Sequence, residues 1–510
     1  MTPTKRFMSG SAASWARIIL NVASQFALVP IFLSHWSVEE YGCWLLIASV
    51  TGLASLFSIG HQSYLEYEFL RVGDKNPHQL SLLFYSSIPF ALLLCLVELI
   101  LVASAIFFGL IDSLFAESRP LDKHLLNESF WAMIVFSVGW LVNTGIGGLG
   151  GRLVSPFGHF PRFAWWSFAL ALSTAIASAL AVYAGFGLLE TAIAVTLTST
   201  MINIPIHLDL WHLFKQYQLT PIKPDLKMGA NLTIKSMALA LTHVIENLRQ
   251  QGVRVFLTTI VGLSQMTAFS TTRTISNVSL QGMSTVTNPV MPEFMRYLRE
   301  HDGARVDSVM GFLLFLTVIV FAPILVGLQL IIPDIFLLWT RGKIEFDGFL
   351  FGLFSISLMV YAIGRPLFAI IQGNNLVKSQ LIISTTVGLI AILGVIAMSS
   401  HFGIRGAAAA LLFAEIVGCA LALIYAVKWL SINRMQLPYR LFYLAFTSIL
   451  MATFGILLMT AMPEEKLMIF CCVLIFCVLV GYVFVRQLPK IALDKLEAIL
   501  LTLPCQKRAL

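Results

Sequence analysis

The sequence predicts an all-α integral membrane protein with about fourteen transmembrane helices. Three observations carry that prediction. Only 12% of the 510 residues are Asp, Glu, Lys or Arg, against about a quarter in soluble proteins. Hydrophobic residues make up 58% of the chain and the mean hydropathy is +0.85. Uninterrupted apolar runs reach the length that spans a bilayer: "LMIFCCVLIFCVLVGYVFV" at 467–485 has no charge, and 81–110 contains only Glu98.

Runs of roughly 20 residues separated by polar or Pro/Gly punctuation place the spans in order at 10–34, 42–62, 80–110, 129–150, 163–184, 188–212, 229–259 and 264–291, then at 308–332, 347–371, 378–400, 404–427, 440–461 and 467–485. No cleavable signal peptide is expected, because Arg17 interrupts the first run and no small-residue cleavage site follows it. The seven Cys have neither disulfide nor metal-ligand spacing and read as small core residues. No cofactor is expected. Residues 488–510, with "KIALDKLEAILLTL", have the apolar spacing of an amphipathic helix on the inner leaflet, or of a partner-binding helix.

Orientation follows from the basic residues. With the N-terminus inside, cytoplasmic segments hold 21 of the 33 Lys and Arg and outside loops hold six, so both termini are expected in the cytoplasm. The same excess accounts for the net charge of +7 without a nucleic-acid partner.

Weak internal repetition divides the chain. "FGLLETAIAV" and "FGIRGAAAAL" lie 216 residues apart, "GSAASWAR" and "GANLTIK" place Arg17 and Lys235 218 residues apart, and Gly151-Arg152 is echoed by Gly364-Arg365. The pattern predicts two six-helix lobes, 1–213 and 229–430, related by a parallel pseudo-twofold repeat. They are joined by a cytoplasmic linker at 214–228 and followed by two C-terminal helices at 431–487.

The candidate site is the set of charges within the spans. Around a helix advancing about 100° per residue, Lys235, Thr242, His243, Glu246, Arg249, Gln250 and Arg254 fall on one face of span seven. Ser14, Arg17, Asn21, Ser24 and Gln25 form a shorter stripe on span one. A mid-membrane Lys or Arg costs roughly 2.5–3.5 kcal/mol, which a hydrated cavity between the two helices would remove. Alternatively, Glu246 neutralises Arg249 and the end cations snorkel. Arg273 either joins the cavity or bonds a neighbouring helix. Glu98 and Glu415 could carry a coupling H⁺ or Na⁺, or sit protonated between helices. Glu66, Glu68, Asp209 and Glu293 read as helix-end hydrogen bonders. A cationic, low-dielectric cavity selects an anion, and Arg pairs well with phosphate.

"VPIFLSHWSVEEYGCWLL" (29–46) and "SLFSIGHQSYLEYEFL" (55–70) resemble the polysaccharide transporter branch, which includes O-antigen flippases, of the multidrug/oligosaccharidyl-lipid/polysaccharide (MOP) exporter superfamily. The sequence departs from that family at "SQMTAFS" (264–270) and around Arg249, where an acidic residue is usual. The resemblance implies a MATE-like V of two lobes. It also implies translocation of an undecaprenyl-diphosphate-linked oligosaccharide across the bacterial inner membrane by alternating access. Arg17, Lys235, Arg249, Arg254 and Arg273 would then hold the anionic groups, and Asn21, Gln25, Asn247 and Gln250, with Glu246 nearby, would meet glycan hydroxyls. Partners would be membrane lipid and the glycan polymerase machinery, with the monomer as the working unit. A MATE-type drug exporter is the first rival, but its cationic substrates call for an acidic cavity. A membrane polymerase or ligase is the second, yet the longest outside loop, 111–128, shows no nucleophile or metal spacing.

Overall fold

The computed structural model describes residues 3–110, 122–145, 147–247, 251–287, 294–295, 297–298, 300–374 and 376–487; within these, the side chains of 3–15, 160, 238–240, 242–244, 246, 284–287 and 377 lie outside the description. The tail after 487, with its expected surface helix, also lies outside the described residues.

The described chain is helical from end to end. Helices α1 (Pro3–His35), α2 (Val38–Ala54), α3 (Leu56–Val72), α4 (Pro77–Phe107), α5 (Lys123–Thr144), α6 (Gly147–Leu153), α7 (Phe160–Tyr183) and α8 (Leu188–Gln216) form the first part. They are followed by α9 (Leu226–Asn247), α10 (Val253–Val261), α11 (Leu263–Thr287), α12 (Gly303–Leu316), a π-helical turn (Thr317–Phe321) and α13 (Ala322–Trp339). The last four are α14 (Gly348–Gly373), α15 (Val377–Ile432), α16 (Tyr439–Ala461) and α17 (Lys466–Gln487). Among the described residues ten helices are long and apolar enough to cross a membrane, eleven if the bent pair α2–α3 counts as one span. The 55-residue segment Lys378–Ile432 is one of the ten, and it joins two helices across a kink at Gly403 (φ 58°), where the sequence places a break between two spans. The stretches expected as spans seven and eight are helical as α9–α10 and α11 but are not among the apolar helices, so ten or eleven of the described helices stand against the fourteen expected spans.

Local chemistry explains the ends. Ser37 accepts from Glu40 N while Glu40 Oε2 accepts from Ser37 N, a reciprocal capping box that starts α2. The same "SVEEYG" stretch supplies Gly42, where a Cβ would come within 2.4 Å of Thr267 Oγ1. Asn76, Asp122, Asp302 and Asp347 cap α4, α5, α12 and α14. α4 leaves Leu93, Leu96, Ile100 and Leu101 exposed along one face, as a helix in lipid does. Cys43, Cys95 and Cys477 are buried as expected, whereas Cys471 and Cys472 are exposed.

The chain packs as two compact units, Met1–Ala268 with Trp339–Ile344, and Phe269–Leu338 with Glu345–Leu510. In unit 1, α1 lies along α7, α5 along α8, and α9 against α3 and α4. Its core holds Leu65, Phe69, Leu80, Phe84, Leu149 and Leu210. Gly229 on α9 touches α4 so closely that a Cβ would sit 2.1 Å from Ser86 O. The short segment Trp339–Ile344 serves α1: Pro30 has no N–H to offer Phe26 O, and Trp339 Nε1 donates to that carbonyl at 2.7 Å. Lys343 Nζ then donates to Trp36 O, just past the helix end, at 2.8 Å.

In unit 2, α14 packs on both α15 and α16, and α16 on α17. The core there is aliphatic, with Val326, Met359, Ile456 and Val473 at its centre. Its polar clamp is Gln329 Nε2 donating to Ser355 Oγ at 2.9 Å.

Candidate functional site

Unit 1 encloses a cavity of about 860 Å³ walled by α1, α3, α5, α6, α7 and α8. The glycine-rich turn of α6 makes room for it. A Cβ at Gly148 would lie 2.4 Å from Gln62 Oε1, and one at Gly147 would lie 2.9 Å from the His207 ring, so glycine leaves room for both side chains, and Gln62 reaches the wall. Most of them are held by neighbours. Gln62 Nε2 donates to Thr144 O at 3.2 Å, Asn143 Nδ2 to Thr200 Oγ1 at 3.1 Å, and Asn203 Nδ2 to Ser199 O at 2.8 Å. Arg152 Nη1 donates to Ser63 Oγ at 2.9 Å and lies 3.6 Å from Glu66 Oε2. At the edge, Asp209 pairs with Arg162 and accepts from Trp166 Nε1 at 2.9 Å.

One charge in this wall stands apart. Arg17 on α1 is exposed, lines the cavity, and has no hydrogen-bond or ion-pair partner among the described residues. With Arg152 opposed by Glu66, Arg17 leaves the cavity with a net positive charge. Fixed dipoles and one free guanidinium in a low-dielectric enclosure attract an anion, and the Asn, Gln, Ser and Thr groups around it suit a ligand rich in hydroxyls.

The other residues expected at the site are spread over several surroundings. Asn21 is exposed on α1, and Gln25 is half-buried with its Oε1 lacking a partner. Lys235 on α9 lines a separate cavity of about 430 Å³ with Glu68, Arg71 and Asn231, so Arg17 and Lys235 do not meet in either. Arg254 on α10 has Nη1 3.4 Å from Gln251 Oε1 and a buried Nε without a partner. A π-helical turn at Gln251–Gly252 precedes it, so a wheel drawn at 100° per residue does not carry over unchanged from α9. Asn247 is half-buried and engaged, as is Arg273, which belongs to unit 2. Arg249, Gln250 and the Glu246 and His243 side chains lie outside the described residues. Glu415 is buried and engaged in unit 2. Glu98 is buried in unit 1 beside a smaller cavity of about 270 Å³.

Several wall residues carry no signal in the sequence. Gln62, Asn143 and Asn203 are isolated polar residues on three helices. Glu66 and Asp209, expected to serve helix ends, instead pair with Arg152 and Arg162 from distant stretches. The one available clue was "GGLGGR", whose glycines announce close packing next to a charge.

No family model and no curated protein matches the sequence. Solved structures match it in fold, and among the described residues ten helices are long and apolar enough to cross a membrane, so the chain reads as a multi-pass membrane protein. The lipid II flippase MurJ in an inward-closed conformation matches with a TM-score of 0.67 and 17% identity over 93% of this chain and 97% of that one. A multidrug resistance MATE transporter in an inward-facing conformation gives 0.64 and 14% over 82% and 95%. A MOP transporter from Pyrococcus furiosus, described by a binding pocket of reversed polarity, gives 0.56 and 15% over 85% and 97%.

Proposed function

We propose that this protein is a flippase that carries an anionic lipid-linked glycan, an undecaprenyl-diphosphate-linked oligosaccharide of a surface polysaccharide, between the leaflets of a bacterial inner membrane by alternating access. The observation that carries this reading is Arg17, a cation on a spanning helix with an open, hydroxyl- and amide-lined cavity in front of it. A guanidinium without a carboxylate partner is costly in a membrane, and a diphosphate would supply what the protein withholds, through paired hydrogen bonds. The flippase neighbour supports a lipid-linked substrate. Lys235, Arg249, Arg254 and Arg273 would receive the anionic groups at other stages of the cycle, and Asn21, Gln25, Glu246, Asn247 and Gln250 the glycan.

The test is reconstitution in liposomes with a fluorescent undecaprenyl-diphosphate oligosaccharide, following its arrival in the opposite leaflet. Wild type moves the lipid and Arg17→Ala does not, while Arg17→Lys retains part of the rate. Equal rates for wild type and Arg17→Ala sink the assignment. The multidrug MATE neighbours favour a second reading, export of small drug-like molecules; transport of cationic dyes with no movement of the lipid would establish it instead.

A further inference from the structure

We propose that Glu98 is a proton-binding site that controls the break between α2 and α3. The chain bends by 46° between these helices. The first turn of a helix leaves N–H groups without partners, and Ser55, in the N-cap position of α3, makes no side-chain cap bond. The cap comes from another helix: Glu98 Oε1, on α4, accepts from Ser58 N at 2.9 Å. Glu98 is only 4% exposed, and its Oε2 is buried with no hydrogen-bond partner among the described residues.

The hydroxyls nearby are engaged elsewhere. Thr51, Ser55 and Ser137 line the same cavity, and each gives its hydrogen to its own helix, to Ile47 O, Gly52 O and Met133 O. Ser58 Oγ donates to Ser55 O and is itself the acceptor for Trp140 Nε1 at 3.0 Å. In this arrangement these hydroxyls give their hydrogens to backbone carbonyls and turn lone pairs toward Oε2, which a protonated acid can use and a carboxylate cannot. No Lys, Arg, Asp or other Glu lines the cavity with it. The titratable side chains on adjoining turns are Cys95 on α4 and His61 on α3, whose Nδ1 is bonded to Ser236 Oγ.

Taking up a proton weakens the carboxylate cap, because a neutral acid is a poorer acceptor and no longer complements the positive end of the helix. The effect reaches the larger cavity by two routes. α3 carries Gln62 and Glu66 into that wall, and Phe136 and Trp140 line both cavities. The consequence for transport rests on the flippase reading; the protonation does not.

Two measurements on the full chain keep these apart. Infrared difference spectra between low and high pH should show a carboxylic-acid C=O band in wild type that is lost in Glu98→Gln and shifted in Glu98→Asp. Identical wild-type and Glu98→Gln spectra would overturn the proton site whatever the protein transports. In proteoliposomes, a pH gradient should change the wild-type flipping rate, and Glu98→Gln should lose that response. A response that survives in Glu98→Gln overturns the coupling but leaves the flippase reading standing. A requirement for Na⁺ at fixed pH that disappears in Glu98→Gln would overturn the proton in favour of sodium.

Discussion

Glycine brings helices together in both units, but against different neighbours. On α14, α16 and α17 of unit 2, a Cβ at Gly352, Gly455 or Gly481 would run into Ile456, Val473 or Ile319. On α6 of unit 1, a Cβ at Gly147 or Gly148 would run into His207 or Gln62. Removing a side chain between aliphatic walls closes a dry interface, since every neighbour gains dispersion contacts. The same removal at Gly148 lets the Gln62 amide come to the face of a cavity. Gly352, Gly455 and Gly481 of unit 2 thus serve cohesion, whereas Gly147 and Gly148 of α6 make room for polar side chains beside the cavity.

Substitutions that reverse the two arrangements should show it. Gly481→Leu has the largest expected effect on stability: its Cβ alone would lie 1.9 Å from Ile319 Cδ1 in the π-helical turn, and overpacking of this kind costs about 1–3 kcal/mol or more. Melting in detergent should fall sharply or the monodisperse peak disappear. Gly148→Leu meets the Gln62 amide at 2.4 Å, a milder overlap, beside an open cavity, so it should fold with a smaller loss of melting temperature and still abolish transport by filling the cavity. If Gly148→Leu proves as destabilising as Gly481→Leu, the contrast between the units is lost.

Next in size is Arg152→Ala, which strands Glu66. The two side chains are 24% and 32% exposed, so the penalty of about 3–5 kcal/mol for breaking a fully buried pair is reduced by solvent. Replacing Glu66 by Gln in the same chain should recover most of the melting temperature. Ser355→Ala in unit 2 should cost about 1 kcal/mol, because Gln329 loses one acceptor but keeps Leu325 O at 3.2 Å. Arg17→Ala should change stability least, within about 0.5 kcal/mol. Its effect belongs to transport alone.

The fold was legible because lipid imposes one rule on the whole length of a span. Each helix must be apolar for some 20 residues and must stop at polar or backbone-permissive positions. The break predicted between 400 and 404 falls at Gly403, whose φ of 58° disfavours other residues, and "SVEEYG" begins α2 with a cap visible in the letters. The candidate site was legible only where its chemistry is expensive: Arg17 stood out because a cation on an apolar helix needs explaining. Gln62, Asn143 and Asn203 did not, since a single amide on a membrane helix reads the same whether it bonds a neighbour or faces water. Their convergence depends on which helices pack together, and α1 against α7 or α5 against α8 is not written in any one span. Glu98 showed as a buried acid, but the spent hydroxyls around it come from α2, α3 and α5 and emerge only from the packing.

The bond from Trp339 to Phe26 O joins residues 313 apart in sequence. α1 is made well before Trp339, so the carbonyl freed by its proline waits for an indole 313 residues further along the chain. At ~5–20 residues per second, that delay is roughly a quarter of a minute to a minute. During biogenesis, then, α1 would enter the bilayer with this carbonyl lacking its indole donor, at the mercy of whatever insertase or chaperone shelters it.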